Sequence, residues 1–86
     1  MEHKPNFTLI TLNIQGLRNV HHRQTLFSWL NCAKPDIICL QETHSTSEEE
    51  FRKWVSTETG NNNKQHYIVE SSPGSARRAG VAILYK

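Results

Sequence analysis

Two groups able to work on a charged ligand stand at the ends of apolar runs. Gln41 and Glu42 close the run in Asp36-Ile37-Ile38-Cys39-Leu40-Gln41-Glu42-Thr43-His44, and Asn13 sits near the end of Phe7-Thr8-Leu9-Ile10-Thr11-Leu12-Asn13-Ile14. A carboxylate in such a place is costly to desolvate unless something positive meets it. A hard divalent cation is the natural partner, because carboxylate oxygens hold such ions. The plainer alternatives are a solvated carboxylate at a strand end for Glu42 and a turn residue bonding its own backbone for Asn13.

The other titratable residues offer less. Histidine is the default base near neutral pH, but none here has an evident orienting partner. His21-His22-Arg23 reads as a solvated, partly cationic helix start, His44 as a loop residue close behind Glu42, and His66 as the start of a strand. Glu48-Glu49-Glu50 suits the first turn of a helix. Arg77-Arg78 is either a solvated loop or a contact for a nucleic-acid backbone.

The elements that must position Asn13 and Glu42 follow from periodicity. Residues 7–14 are β-branched and aromatic without a charge, the pattern of a strand. Leu26, Phe27, Leu30 and Ala33, widened by Trp29, share one face of a helix over 21–33. Asn19 caps it and Pro35 stops it. The run Ile37 to Leu40 reads as a strand buried on both faces. Strand, helix and strand in this order predict a parallel pair with a right-handed crossover. Parallel strands end on one edge, where α/β proteins hold ligands. Asn13 and Glu42 should therefore meet at one crevice.

A second helix is predicted after Thr46. Ser47 and Glu50 have the spacing of a capping box. Phe51, Trp54 and Val55 form its apolar stripe, and Glu48 with Arg52 and Glu49 with Lys53 are spaced for i, i+4 pairing. Gly60-Asn61-Asn62-Asn63 ends it as a loop. Two strands, 66–70 and 79–85, then flank a long loop as an antiparallel hairpin. Both tryptophans read as core residues.

With 86 residues the chain is at most one domain. Its 36% hydrophobic and 21% charged content is that of an ordinary soluble protein. No apolar run reaches the roughly 20 residues of a membrane span. The net charge of +2 is too mild to indicate nucleic-acid binding by itself. Cys32 and Cys39 fit reduced thiols better than a disulfide or a zinc site.

Taken together, Leu12-Asn13-Ile14-Gln15-Gly16-Leu17-Arg18, then Lys34-Pro35-Asp36-Ile37-Ile38-Cys39-Leu40-Gln41-Glu42-Thr43-His44, then Ala79-Gly80-Val81-Ala82-Ile83-Leu84 resemble the endonuclease/exonuclease/phosphatase superfamily. In order and spacing they are most similar to the apurinic-type endonuclease domain of LINE-type retrotransposons. The resemblance implies an α/β fold. It would be the N-terminal part of a four-layer, deoxyribonuclease-I-like sandwich in the order β-α-β-α-β-β. Residues 1–86 would then be a partial domain, truncated on its C-terminal side.

The resemblance also implies Mg²⁺-dependent cleavage of a DNA phosphodiester, in the nucleus or cytoplasm and without a membrane, with the oligomeric state left open. Glu42 matches the metal-binding glutamate and Asn13 the asparagine beside it, the two catalytic positions. Gln15 falls where many relatives carry an aspartate. Arg18 matches a basic residue near the substrate backbone, and Gln41 a residue that supports the cluster; these three are the expected substrate-binding set.

A later tyrosine, an Asp-x-Asn motif and a Ser-Asp-His motif complete the family pattern. The two motifs do not occur in this sequence, whose one aspartate is Asp36, and neither Tyr67 nor Tyr85 is matched to the family tyrosine. No group is then positioned as a base. One carboxylate with neutral amides is expected to bind Mg²⁺ weakly or not at all, so the chain alone should be inactive. A non-catalytic truncated product, or a phosphatase or phospholipase-type member of the superfamily, are the alternatives. Since the implied second sheet lacks most of its strands, urea titration followed by circular dichroism should show a shallow transition. A sharp two-state curve would contradict the partial-domain expectation.

Overall fold

The computed structural model describes residues 7–59 and 67–86. Its elements are β1 (Leu9–Asn13), α1 (Val20–Ala33), β2 (Ile37–Gln41), α2 (Glu48–Thr59), β3 (Ile68–Ser72) and β4 (Val81–Tyr85). They follow the expected order. The predicted loop at Gly60-Asn61-Asn62-Asn63 and the predicted strand start at His66 lie outside the described residues.

One mixed sheet runs in the order β1-β2-β4-β3. β1 and β2 are parallel, with Asn13 opposite Gln41. β4 runs antiparallel to both β2 and β3, so the last two strands form the expected hairpin. The connection between β1 and β2 is α1. Asn19 caps it by accepting a 3.0 Å bond from His22 N–H. Lys34 ends it in a left-handed conformation, its N–H bonded to the Leu30 carbonyl. Pro35 then bars another turn.

Both helices lie on one face of the sheet. Leu26, Phe27 and Leu30 of α1 and Phe51, Trp54 and Val55 of α2 join Ile38, Leu40, Ala82 and Leu84 in a single core. Phe51 and Trp54 meet edge to face, with ring centres 6.3 Å apart. The favourable arrangement of the ring quadrupoles adds to the area buried.

The opposite face is bare, which corrects the reading of Ile37 to Leu40 as buried on both sides. Ile38 and Leu40 are buried, while Ile37 and Cys39 on the other face are only partly covered. Their neighbours on that face, Leu9, Val81, Ile83 and Ile68, are 43–60% exposed. A continuous apolar run signals two apolar faces, and here one of them has no cover among the described residues.

Two smaller expectations also change. Trp54 is core, but Trp29 is half exposed and walls an open groove of about 510 Å³ beside Leu12, Asn13 and Leu26. Ala33 is likewise exposed rather than part of the buried stripe. The intrahelical pairs of α2 do not form; the ion pairs of the helices join separate elements, Arg18 to Glu50 and Arg23 to Glu58. Arg23 is therefore not solvated: its side chain is 13% exposed, and its guanidinium lies 4.9 Å from the Trp54 ring centre.

Phe51 is wholly buried where α2 meets the sheet. Truncation to alanine should cost about 3–5 kcal/mol, comparable with the whole stability of a small domain. The Phe51→Ala chain should lose its dispersed amide NMR spectrum, whereas Lys53→Ala, on the exposed side of α2, should keep it.

Candidate active site

The parallel register brings Asn13 and Glu42 together at the C-terminal edge of the sheet. Asn13 Nδ2 donates to Glu42 Oε2 at 2.7 Å. A hydrogen bond to a carboxylate is shorter and stronger than one between neutral groups. Asn13 Oδ1 in turn accepts a 3.3 Å bond from Gln15 N–H, shaping the turn that leaves β1. The Glu42 side chain keeps 43% of its surface exposed, so a cation in solvent can reach it.

Glu42 and the residues after it are held from two sides. On one, Gly16 N–H donates to the Glu42 carbonyl at 2.7 Å and Leu17 N–H to that of Thr43 at 3.0 Å. On the other, Thr43 N–H donates to the Gly80 carbonyl and His44 N–H to that of Ala79. Thr43 and Ser45 are fully buried, their hydroxyls 3.3 Å apart.

The turns are tight. Gln15, Glu42, His44 and Ala79 all have φ between 51° and 65°, the left-handed region. Such conformations in residues with a Cβ cost of order 1 kcal/mol or more and cluster at functional sites. Gly16, at φ 96°, fits for two reasons: the backbone needs it, and a Cβ there would lie 2.6 Å from His44 Nδ1.

The remaining expected site residues are placed less simply. Gln41 turns its amide across the bare face to Thr11 Oγ1, 2.9 Å away. Its carbonyl accepts from Ile14 N–H at 3.0 Å and so continues the pairing past Asn13. Gln15 lies exposed beside Asn13. Arg18 directs Nη1 to Glu50 Oε1 at 2.8 Å and to the His44 carbonyl at 3.3 Å, with its guanidinium 5.7 Å from the Trp54 ring centre. Glu50 Oε1 also accepts from Thr46 N–H and Oγ1–H. The capping box is thus half formed: Glu50 N–H bonds Ser47 Oγ at 3.0 Å, but the carboxylate reaches back to Thr46. Arg77 and Arg78 are exposed on the hairpin loop.

His44, expected as a loop residue close behind Glu42, has a more definite place. It is not merely a loop residue, for its ring packs on Gly16 with Nε2 3.9 Å from Glu42 Oε1. The signal available was its position two residues after Glu42, a spacing that puts two side chains on one face of an extended segment. The chain does not continue as a strand, since Glu42 and His44 are both left-handed, and the ring nonetheless ends beside the carboxylate. Among the described residues no three histidine, cysteine, aspartate or glutamate side chains converge on one point. Asp36 is at the far end of β2, where Oδ2 accepts from Thr8 N–H.

Sequence and fold together place the chain in a known group. The model of the Endonuclease/Exonuclease/phosphatase family matches residues 10–86, and the chain belongs to that family. Its fold is the N-terminal part of the deoxyribonuclease-I-like sandwich, one sheet with its helix layer. Among solved structures, it is similar to an AP endonuclease from Archaeoglobus fulgidus, with 30% sequence identity and a TM-score of 0.65. The match covers 93% of this chain and 27% of that one.

The Arg18–Glu50 strut has a pH signature. The hydrogen bond from Arg18 holds the Glu50 carboxyl below its ordinary value of 4.5, outweighing the opposing effect of burial, and the Thr46 bonds act in the same direction as Arg18. The folded pKa is therefore the lower one, and the unfolded chain binds more protons in between. The strut's stabilisation is complete above about pH 4.5 and is lost as pH falls through the folded value. Urea midpoints should drop less between pH 6 and pH 3 in Glu50→Gln than in the wild type; equal drops would show the strut to be inert.

Proposed function

We propose that this chain carries the Glu42–Asn13 half of a Mg²⁺-dependent DNA endonuclease site of the kind found in LINE-type retrotransposons. The observation behind the proposal is the 2.7 Å bond between Asn13 and Glu42 at the common edge of two parallel strands. The likeness to an AP endonuclease favours DNA over a small phosphate ester. The retrotransposon assignment rests on the resemblance of the Gln41-Glu42-Thr43-His44 and Ala79 to Leu84 motifs.

The residues present suit Mg²⁺. Oxygen donors and solvent access match an ion that takes one or two carboxylates and keeps several waters. Glu42 would hold it, since Asn13 occupies only Oε2. When bound, the ion would polarise a phosphoryl oxygen and stabilise charge developing there. Asn13 fixes the Glu42 carboxylate, and Gln15 borders the place where a phosphate would sit. Arg18 keeps 42% of its side chain exposed while its Nη1 holds Glu50, leaving the guanidinium free to meet a DNA backbone phosphate. Gln41 supports the cluster through its carbonyl.

The sequence has no Ser-Asp-His motif, and among the described residues the histidine at this edge, His44, faces Glu42 itself, so no second carboxylate orients a base toward phosphorus. The isolated chain is therefore expected to show little or no nicking of supercoiled plasmid in Mg²⁺. Strong nicking abolished by Glu42→Ala would contradict that expectation. The metal assignment is tested separately: millimolar Mg²⁺ should shift the NMR signals of Glu42, Asn13 and Gln15, and Glu42→Gln should remove the shifts. Unchanged spectra in the wild type would rule out Glu42 as a ligand in this chain.

A further inference from the structure

We infer that His44 is a positioning residue for Glu42, a reading that rests on Glu42 as the metal ligand proposed above. Three observations converge. Nε2 of His44 is buried, has no hydrogen-bond partner and lies 3.9 Å from Glu42 Oε1. An unsatisfied buried polar atom is costly, and a small rotation of the carboxylate closes the gap to a hydrogen-bond length of about 2.9 Å. The residue is anchored: its ring rests on Gly16, its backbone N–H donates to the Ala79 carbonyl, and its backbone carbonyl accepts from Arg18 Nη1. Finally, Glu42 and His44 both hold the left-handed conformation, which residues with a Cβ keep only where the surroundings fix the backbone.

The arrangement holds the carboxylate from opposite sides. Asn13 takes Oε2, and His44 steadies Oε1. A free glutamate loses rotamer entropy when it is fixed. Fixing it before the cation arrives removes that cost from binding. Both oxygens retain lone pairs for a metal, since each can accept more than one contact. The donor at Nε2 exists in one neutral tautomer and in the protonated ring alike, so the role does not depend on a titration.

Two substitutions separate the donor from the ring. His44→Phe keeps a flat ring against Gly16 and removes the N–H, while His44→Gln can present an amide N–H to Oε1. In the metal-free full chain labelled with ¹³C at glutamate, three-bond couplings should report one Glu42 side-chain rotamer in the wild type and in His44→Gln, and averaging in His44→Phe. The affinity for Mn²⁺ alone should fall about tenfold in His44→Phe, as for other groups that orient a metal ligand, and recover in His44→Gln. Glu42 order that is the same in His44→Phe as in the wild type would overturn the inference. If Glu42 order depends on His44 but the wild type binds no Mn²⁺, the positioning role stands and the metal reading fails. Should either variant lose its dispersed spectrum, the wild-type imidazole ¹⁵N signals decide: a proton on Nε2 supports the role, and a neutral ring protonated only on Nδ1 overturns it.

Discussion

The parallel pairing of β1 with β2 is the constraint on which the rest depends. It sets Asn13 opposite Gln41 and so places Asn13 one residue short of Glu42 at the same edge. Antiparallel pairing of the same strands would send Asn13 and Glu42 to opposite ends of a strand of about 17 Å. Parallel pairing needs a crossover, and α1 supplies it. The helix can make that crossover only by burying Leu26, Phe27 and Leu30 against the sheet. The amide–carboxylate contact is therefore held in place by core packing on the sheet's inner face, well away from the polar edge itself.

Beyond the strands, geometry is set by turns that few residues adopt willingly. Gln15, Glu42, His44 and Ala79 each sit in the left-handed region. The combined cost is several kcal/mol at about 1 kcal/mol or more apiece. Short chains have little stability to offset it. The offset comes from the backbone ladder that continues past the strand ends, from Gly16 and Leu17 on one side and Ala79 and Gly80 on the other. Burial of Leu17, Thr43 and Ser45 between these segments keeps water from competing for those bonds. The strain is local to the residues that aim Glu42 and His44, which is where an over-determined backbone can set a side chain's direction.

This division explains what could be seen in the sequence. The strands, both helices, the crossover and the meeting of Asn13 with Glu42 follow from periodicity, caps and the parallel rule, because each rests on local pattern. The Ser47–Glu50 spacing marked the start of α2, though the carboxylate chose Thr46. What stayed hidden depended on turns and on partners distant in sequence. His44 looked like a loop residue because nothing in its neighbours announces a positive φ at a bulky side chain. Arg23 looked solvated because Glu58 and Trp54, which cover it, lie more than thirty positions away. Ile37 to Leu40 looked buried on both faces because the residues are apolar on both faces; composition records what a face is suited to, and the coordinates record what covers it.

The bare face itself carries a gradient that reconciles packing with access. Across the register, Leu9, Ile37, Tyr85 and Ile68 form one row at the end of the sheet away from the site. The middle row is Thr11, Cys39, Ile83 and Glu70, and the row at the site edge is Asn13, Gln41, Val81 and Ser72. Apolar surface thus gives way to two amides and a hydroxyl, with Val81 the one apolar member of the site row, within the length of five-residue strands. In a four-layer sandwich this face meets a second sheet, and the apolar row is suited to dry contact. The polar row then lies at the rim, where Asn13 and Glu42 can stay in contact with water. A face apolar throughout would favour covering the rim as well, and one polar throughout would leave nothing to hold the layers together. The alternation along each strand separates inside from outside, and the change of composition from row to row separates the apolar end from the edge that carries Asn13 and Glu42.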